Sequence, residues 1–273
     1  MPSIQEIAAG LLEAAAAGGR ALLSASGHSV SIKPDGSPVT AADLASDWAI
    51  RNALTQRYPD IPSVSEEASI NFPQEAARAP FFLIDPLDGT KEFLAGSPDF
   101  AICVALIVKQ RPVAGVILAP AARMLCMAAG TATAFTLDDH LQCHADSARV
   151  LKLKRREPAG KLTLVTSHSH SDERSLRLVQ HFHGCSHRTM GAAVKFMAVA
   201  NGEADLYPRG TGSMEWDTAA GEAIILASGG AMLGEDGEPM IYGKVEQGFR
   251  NGPFIAGRSK VLVQSALNQW AAC

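Results

Sequence analysis

Residues 81–90 read Phe-Phe-Leu-Ile-Asp-Pro-Leu-Asp-Gly-Thr, and this stretch constrains the fold more than any other in the chain. Four large apolar residues followed by a proline read as a buried strand, Phe81–Ile84, that breaks at Pro86. Asp85 then sits at the end of a buried element. A carboxylate placed there is costly unless a cation compensates it. Asp88 follows three residues on, next to Gly89 and Thr90. Both aspartates also suit an ordinary turn, in which a carboxylate accepts from the backbone two residues ahead.

Three further acids fall at strand ends or loop–helix junctions: Asp43, Glu66 and Asp217. Each has an everyday role available. Asp43 lies three residues after Thr40 and can close a capping box. Glu66 and Glu67 can be solvated loop charges. Asp217 can cap the helix that follows it. Taken together, the five acids suggest more. Hard divalent cations take several oxygen ligands, and Asp85-Pro86-Leu87-Asp88 offers two carboxylates plus the Leu87 carbonyl. A two-metal site, with ions about 3.5–4 Å apart, needs a bridging acid and others on each side. Asp85 can bridge, with Glu66 on one ion and Asp217 on the other. Little histidine or cysteine lies nearby, which favours magnesium over zinc. Gly89 and Thr90 can bring backbone amides and a hydroxyl to a phosphate. Gly191 and Lys195, in Met-Gly-Ala-Ala-Val-Lys-Phe, and Arg209 are candidate phosphate partners from the second half; Lys195 also reads as a solvated helix charge.

The chain has 273 residues, room for one large domain or two fused subdomains. Apolar residues make up 47% and charged residues 19%, which excludes a disordered chain. The net charge of −4 argues against a binder of nucleic-acid polymers. The alanine-rich N-terminus is interrupted by Glu6, Glu13 and Arg20, so it reads as an amphipathic helix rather than a signal peptide or membrane span. The five cysteines are scattered, with no Cys-x-x-Cys, and read as reduced thiols of a cytoplasmic protein. Helices are expected at about 41–57, 171–182, 190–201 and 217–228, and two joined strands within 100–120. The polar stretch 144–161 marks a boundary between an N-terminal α+β subdomain, 1–155, and a C-terminal α/β subdomain, 156–273. Strands grouped early with alternation later give an α/β or α+β layered fold.

Four stretches in order, Asp35–Asp43, Ser65–Glu67 with Asp85–Phe93, Lys195–Arg209 and Trp216–Gly230, resemble the inositol-monophosphatase-like superfamily of lithium-sensitive, magnesium-dependent phosphatases. Lys91-Glu92-Phe93 and Ser37-Pro38-Val39-Thr40 lean toward its bisphosphate nucleotidase branch, which serves sulfur metabolism. The resemblance implies an α/β/α/β/α sandwich with the active site between two halves. It implies one magnesium on Glu66, Asp85 and the Leu87 carbonyl, and a second on Asp85, Asp88 and Asp217. Asp43 and Thr90 would help hold a third ion and the attacking water, with Glu66 nearby as a third catalytic residue. Substrate contacts would come from Asp88, Gly89, Thr90, His170, Gly191, Lys195, Arg209 and Asp217. Two departures bear on the substrate. Ala192-Ala193 stand where the branch has two serines, and His168 stands where it has an arginine.

The leading reading is hydrolysis of 3′-phosphoadenosine 5′-phosphate to AMP and phosphate. An inositol- or sugar-phosphate phosphatase is the alternative on the same metals, and the two alanines suit it. A non-catalytic phosphoanion sensor would not need Asp43 and Thr90. The resemblance leaves open a homodimer and peripheral contact with the inner membrane. His181, His183, His187 and Cys185 match no zinc spacing and read as surface histidines at a helix end. The basic run 152–157 reads as a solvated connector.

Overall fold

The computed structural model describes residues 2–25, 30–33, 36–68, 72–152, 161–169 and 171–270. The expected boundary at 155/156 lies outside the described residues.

Strand Phe81–Asp88 organises the first half. Its side chains alternate, as a pleated strand requires. Phe82 and Ile84 enter one core, while Phe81 and Leu83 enter another on the opposite face. Each of these fully buried side chains stabilises by roughly 1.5–3 kcal/mol, so the strand is held from both sides. It pairs in parallel with Ser63–Ser65 and antiparallel with Ala101–Val108. Beyond these, Arg111–Ala119, Met124–Ala129, Thr131–Thr136 and Arg149–Val150 complete a seven-stranded sheet. A second, five-stranded sheet runs Ser186–Met190, Thr163–Ser167, Leu206–Arg209, Phe254–Gly257, Ala231–Gly234. Its first three strands are parallel and its last two join antiparallel.

Three helix layers enclose the two sheets. Helices Ile4–Ser24 and Ala41–Arg57 pack on each other and on the outer face of the large sheet. Val194–Ala200 and Glu215–Ala227 lie between the sheets. Glu173–His181 and Lys260–Trp270 cover the outer face of the small sheet. This is the expected α/β/α/β/α order. Helix Ile4–Ser24 is long and apolar enough to cross a membrane by length and composition alone. Here it buries Ile7, Leu11, Ala14, Ala15 and Leu22 in the first core.

The central helix Glu215–Ala227 approaches the large sheet closely because Gly115 has no side chain. A Cβ there would stand 2.8 Å from the Ala220 Cα, closer than atoms pack. That approach fixes where the start of the helix lies relative to the end of strand Phe81–Asp88.

Two expectations need correction. The strand does not break at Pro86 but runs to Asp88. Asp85 opposes Cys103 and Asp88 opposes Ala101, so one extra residue is absorbed between them. That is a β-bulge, which leaves pairing intact on either side. Pro86 costs no ladder bond inside a bulge, and its carbonyl accepts from the Ser46 hydroxyl at 2.8 Å. The second correction concerns 190–201. Ser186–Met190 is a strand, and the helix begins only at Val194.

Candidate active site

The bulge aims the acids. Asp85, 1% exposed, accepts the Leu87 amide at 3.1 Å on Oδ1. This is the turn role open to it from sequence, and the Leu87 carbonyl accepts the Thr90 hydroxyl at 3.3 Å. Gly89 takes φ +93°, a left-handed conformation suited to glycine. It starts the short helix Thr90–Leu94. Glu66 opens a 3₁₀ turn directly after Ser63–Ser65, whose last residue pairs with Ile84, so parallel pairing brings Glu66 beside Asp85. Asp217 is the third residue of the central helix. Its Oδ2 accepts the Ser213 hydroxyl at 2.6 Å and the Met214 amide at 3.1 Å. Asp217 therefore closes the helix cap from inside the first turn, rather than standing at the cap position itself.

Glu66, Asp85, Leu87, Asp88 and Asp217 all line one cavity of about 400 Å³ between the two halves. Gly89, Thr90, Lys195 and Arg209 line it too. Asp43 lies behind the wall, 2% exposed. Its Oδ2 accepts the Thr40 amide at 2.8 Å and the Thr40 hydroxyl at 2.5 Å. Its Oδ1 accepts the Thr90 hydroxyl at 3.0 Å. The capping box is formed, and it uses only one oxygen: Oδ2 holds the helix start, and Oδ1 holds a residue of the cavity.

The cluster is short of positive charge. Burial pushes the Glu66 carboxyl up to about 7, although Lys33 pulls it down; Asp217 and Glu67 add to the rise. Burial likewise lifts Asp88 to about 7, with Asp217 adding and Lys195 and Arg209 opposing. Asp85 lies well above the usual carboxylate range, from burial first and then from Glu66, Asp88 and Asp217. These acids repel one another in a low-dielectric wall, and the nearby cations do not balance them. Among the described residues, no three carboxylate, imidazole or thiol groups already form a closed chelate. The acids surround a space instead. The donors facing it are carboxylate and carbonyl oxygens, and Cys103 behind them is held protonated by burial. Such an all-oxygen set fits magnesium and not a thiophilic metal.

The anion side differs from expectation in detail. Lys195 is not a solvated helix charge. It is 1% exposed, its ammonium donates to the Ala192 carbonyl at 2.6 Å, and it stands 5.2 Å from the Tyr207 ring centroid. It braces the 190–192 turn as well as lining the cavity. The Gly191 amide donates to Asp99 Oδ2 at 2.9 Å and is already engaged. Arg209 keeps a buried Nε with no hydrogen-bond partner. His170 lies outside the described residues.

Three contributors escaped the sequence. Lys33 donates to Glu66 Oε1 at 2.6 Å and to Glu67 Oε1 at 2.7 Å. It precedes a turn, and nothing in its spacing directs it to Glu66. Ser213 holds Asp217, and its position four residues before that acid was a usable signal. Glu215 is the third. Fully buried, it accepts the Gly243 amide at 2.6 Å and the Lys244 amide at 3.0 Å, with the Lys244 ammonium 2.9 Å away. This ties the segment carrying Gly248 and Arg250, both on the cavity rim, to the helix that bears Asp217.

The profile of the inositol monophosphatase family matches residues 3–270. The chain is 35% identical over 210 residues to the 3′(2′),5′-bisphosphate nucleotidase CysQ of Shigella flexneri, covering 77% of this chain and 81% of that one. It is 36% identical over 201 residues to the enzyme of the same name from Buchnera aphidicola subsp. Acyrthosiphon pisum, covering 74% and 72%. Among solved structures, CysQ from Bacteroides thetaiotaomicron superposes with a TM-score of 0.79 at 28% identity, over 93% of this chain and 97% of that one.

Proposed function

We propose that this chain, which belongs to the inositol monophosphatase family, is a magnesium-dependent phosphomonoesterase that hydrolyses 3′-phosphoadenosine 5′-phosphate to AMP and phosphate. The observation that carries the reading is the convergence of four carboxylates and Leu87 on one cavity, beside the Gly89–Thr90 turn. The nucleotide substrate rests on the relatives. Free thiols at Cys103, Cys126, Cys143 and Cys185 fit a cytoplasmic setting.

Glu66, Asp85 and the Leu87 carbonyl would hold one magnesium, and Asp85, Asp88 and Asp217 a second; a third would lie toward Asp43 and Thr90. Bound magnesium supplies Lewis acidity, making water a better nucleophile and neutralising phosphoryl charge. The chain's own groups orient the reaction. Thr90 has its hydroxyl hydrogen directed into the protein, to Asp43 Oδ1 at 3.0 Å, with the Leu87 carbonyl at 3.3 Å. Its lone pairs are left to accept a hydrogen from the attacking water. Water attacks phosphorus in line and the bond from phosphorus to the 3′ oxygen breaks; of the two water hydrogens one ends on the phosphate and the other on the departing oxygen, which leaves as the ribose 3′-hydroxyl. Arg209 and Lys195 supply positive charge for the second phosphate.

An inositol- or sugar-phosphate substrate is favoured by one observation. Ala192 and Ala193 line the cavity with methyl groups where hydroxyls would assist a second phosphate. Phosphate release in magnesium decides between the readings. The expected result is a kcat/KM at least tenfold higher for 3′-phosphoadenosine 5′-phosphate than for inositol 1-phosphate. Equal or inverted values would overturn the nucleotide assignment and leave the phosphatase intact.

A further inference from the structure

Glu92 is a carboxylate in the cavity wall to which neither the ion sites nor the water-holding pair assigns a task. It is 7% exposed and lines the cavity two residues after Thr90. Its Oε1 accepts the Ser169 hydroxyl, and no ion pair to Glu92 exists among the described residues. A carboxylate has about four lone-pair sites, so one neutral donor among the described residues fills only part of its capacity in a buried place. Its seat is well defined. A Cβ on Gly191 would meet the Glu92 Cγ at 2.7 Å, and a Cβ on Gly89 would meet Oε2 at 3.4 Å. The group therefore stands in the seam between the Gly89–Thr90 phosphate cradle and the Gly191–Ala192 turn. Both flanking residues are glycines that leave it room.

A carboxylate repels phosphate and accepts hydrogens. Next to the cradle, the substrate group that can satisfy it is a hydroxyl on the carbon adjacent to the phosphorylated one. We propose that Glu92 is a specificity-determining residue that accepts a hydrogen bond from this neighbouring hydroxyl of the leaving group. On the nucleotide reading, on which this inference rests, that group is the ribose 2′-hydroxyl. Glu92 also keeps the second phosphate off this side of the cavity and leaves it to Arg209. Ser169 is a positioning residue that fixes one carboxylate oxygen.

The test compares kcat/KM for 3′-phosphoadenosine 5′-phosphate with that for its 2′-deoxy analogue, in the wild type, Glu92→Ala, Glu92→Gln and Ser169→Ala. The wild type should favour the ribose substrate about tenfold or more, the effect of losing one hydrogen bond to a charged acceptor. In Glu92→Ala the ratio should fall to near one, with Glu92→Gln and Ser169→Ala between. A wild type indifferent to the 2′-hydroxyl overturns the proposal. So does a Glu92→Ala enzyme that is slower on both substrates at an unchanged ratio, which would mark Glu92 as purely structural. Should Glu92→Ala fail to fold, the Glu92→Gln ratio decides alone: an unchanged ratio there sinks the idea. If the wild type hydrolyses inositol 1-phosphate and neither nucleotide, the nucleotide reading has failed separately. The same ratio is then taken between inositol 1-phosphate and cyclohexyl phosphate, which has no neighbouring hydroxyl. A preference that collapses on replacing Glu92 supports its role there, and an unchanged preference overturns it.

Discussion

The Lys33 ammonium lies 2.6 Å from Glu66 Oε1, against an acid proposed to hold a magnesium ion. Lys33 is held above its ordinary value because the pull of Glu66 and Glu67 outweighs its desolvation. On the proposed metal assignment, a protein cation and a metal cation would compete for one carboxylate. Replacing Lys33 with Met should lower the magnesium concentration for half-maximal activity several-fold, on the order of 1 kcal/mol for a partly buried pair. A magnesium titration of phosphate release reads this directly, and a rise in the half-saturating concentration would contradict it.

The carboxyl values near 7 set a pH dependence for the metal-free protein. Glu66 and Asp88 hold protons in the folded chain well above their ordinary values of 4.5 and 3.8. The folded state therefore binds more protons than the unfolded state between about pH 4 and 7. Stability from these groups is present below the ordinary values and is lost as pH rises through 7. With chelator present, Tm should fall between pH 5.5 and 8. Saturating magnesium needs the deprotonated acids, so its stabilising shift should be largest at pH 8. A metal-free Tm that climbs over this range would refute the charge-repulsion account.

Asp88→Asn separates catalysis from stability. It removes a proposed metal ligand and one member of a crowded anionic set. Turnover should drop by roughly 10²–10³-fold or more, the effect of losing one group that stabilises transition-state charge. Without magnesium the variant should melt higher than the wild type, because Asp217 and Glu66 lose a repelling neighbour. Near-normal activity would remove Asp88 from the metal site.

Glu215 predicts a large structural effect. Lys244→Met leaves a fully buried carboxylate with two backbone amides and no cation. The expected loss is about 3 kcal/mol, at the lower end for breaking a buried pair. Adding Glu215→Gln should recover part of it. Urea denaturation of both variants and the wild type measures the coupling.

The sequence by itself determined which oxygen-bearing groups line the cavity and their local scaffolding. Asp43 closing a cap with Thr40, Asp85 accepting from Leu87, and Asp88 before Gly89-Thr90 all depend on contacts two or three residues apart, which spacing encodes. The apolar run before Asp85 marked a buried carboxylate, and so a need for a cation. Other features were decided by packing. Glu66 reaches Asp85 through parallel pairing of Ser63–Ser65 with its neighbour strand. Asp217 reaches the same cavity because its helix settles against Gly115, more than a hundred residues earlier in the chain. Lys195 read equally as a phosphate partner and as a surface charge, and the sheets bury it against the turn it braces. Lys33 carried no local pattern, and Glu92 fell within a family motif that gave it no task of its own. Spacing fixes which groups share a turn, but charge balance and burial depend on which distant surfaces the hydrophobic layers bring together.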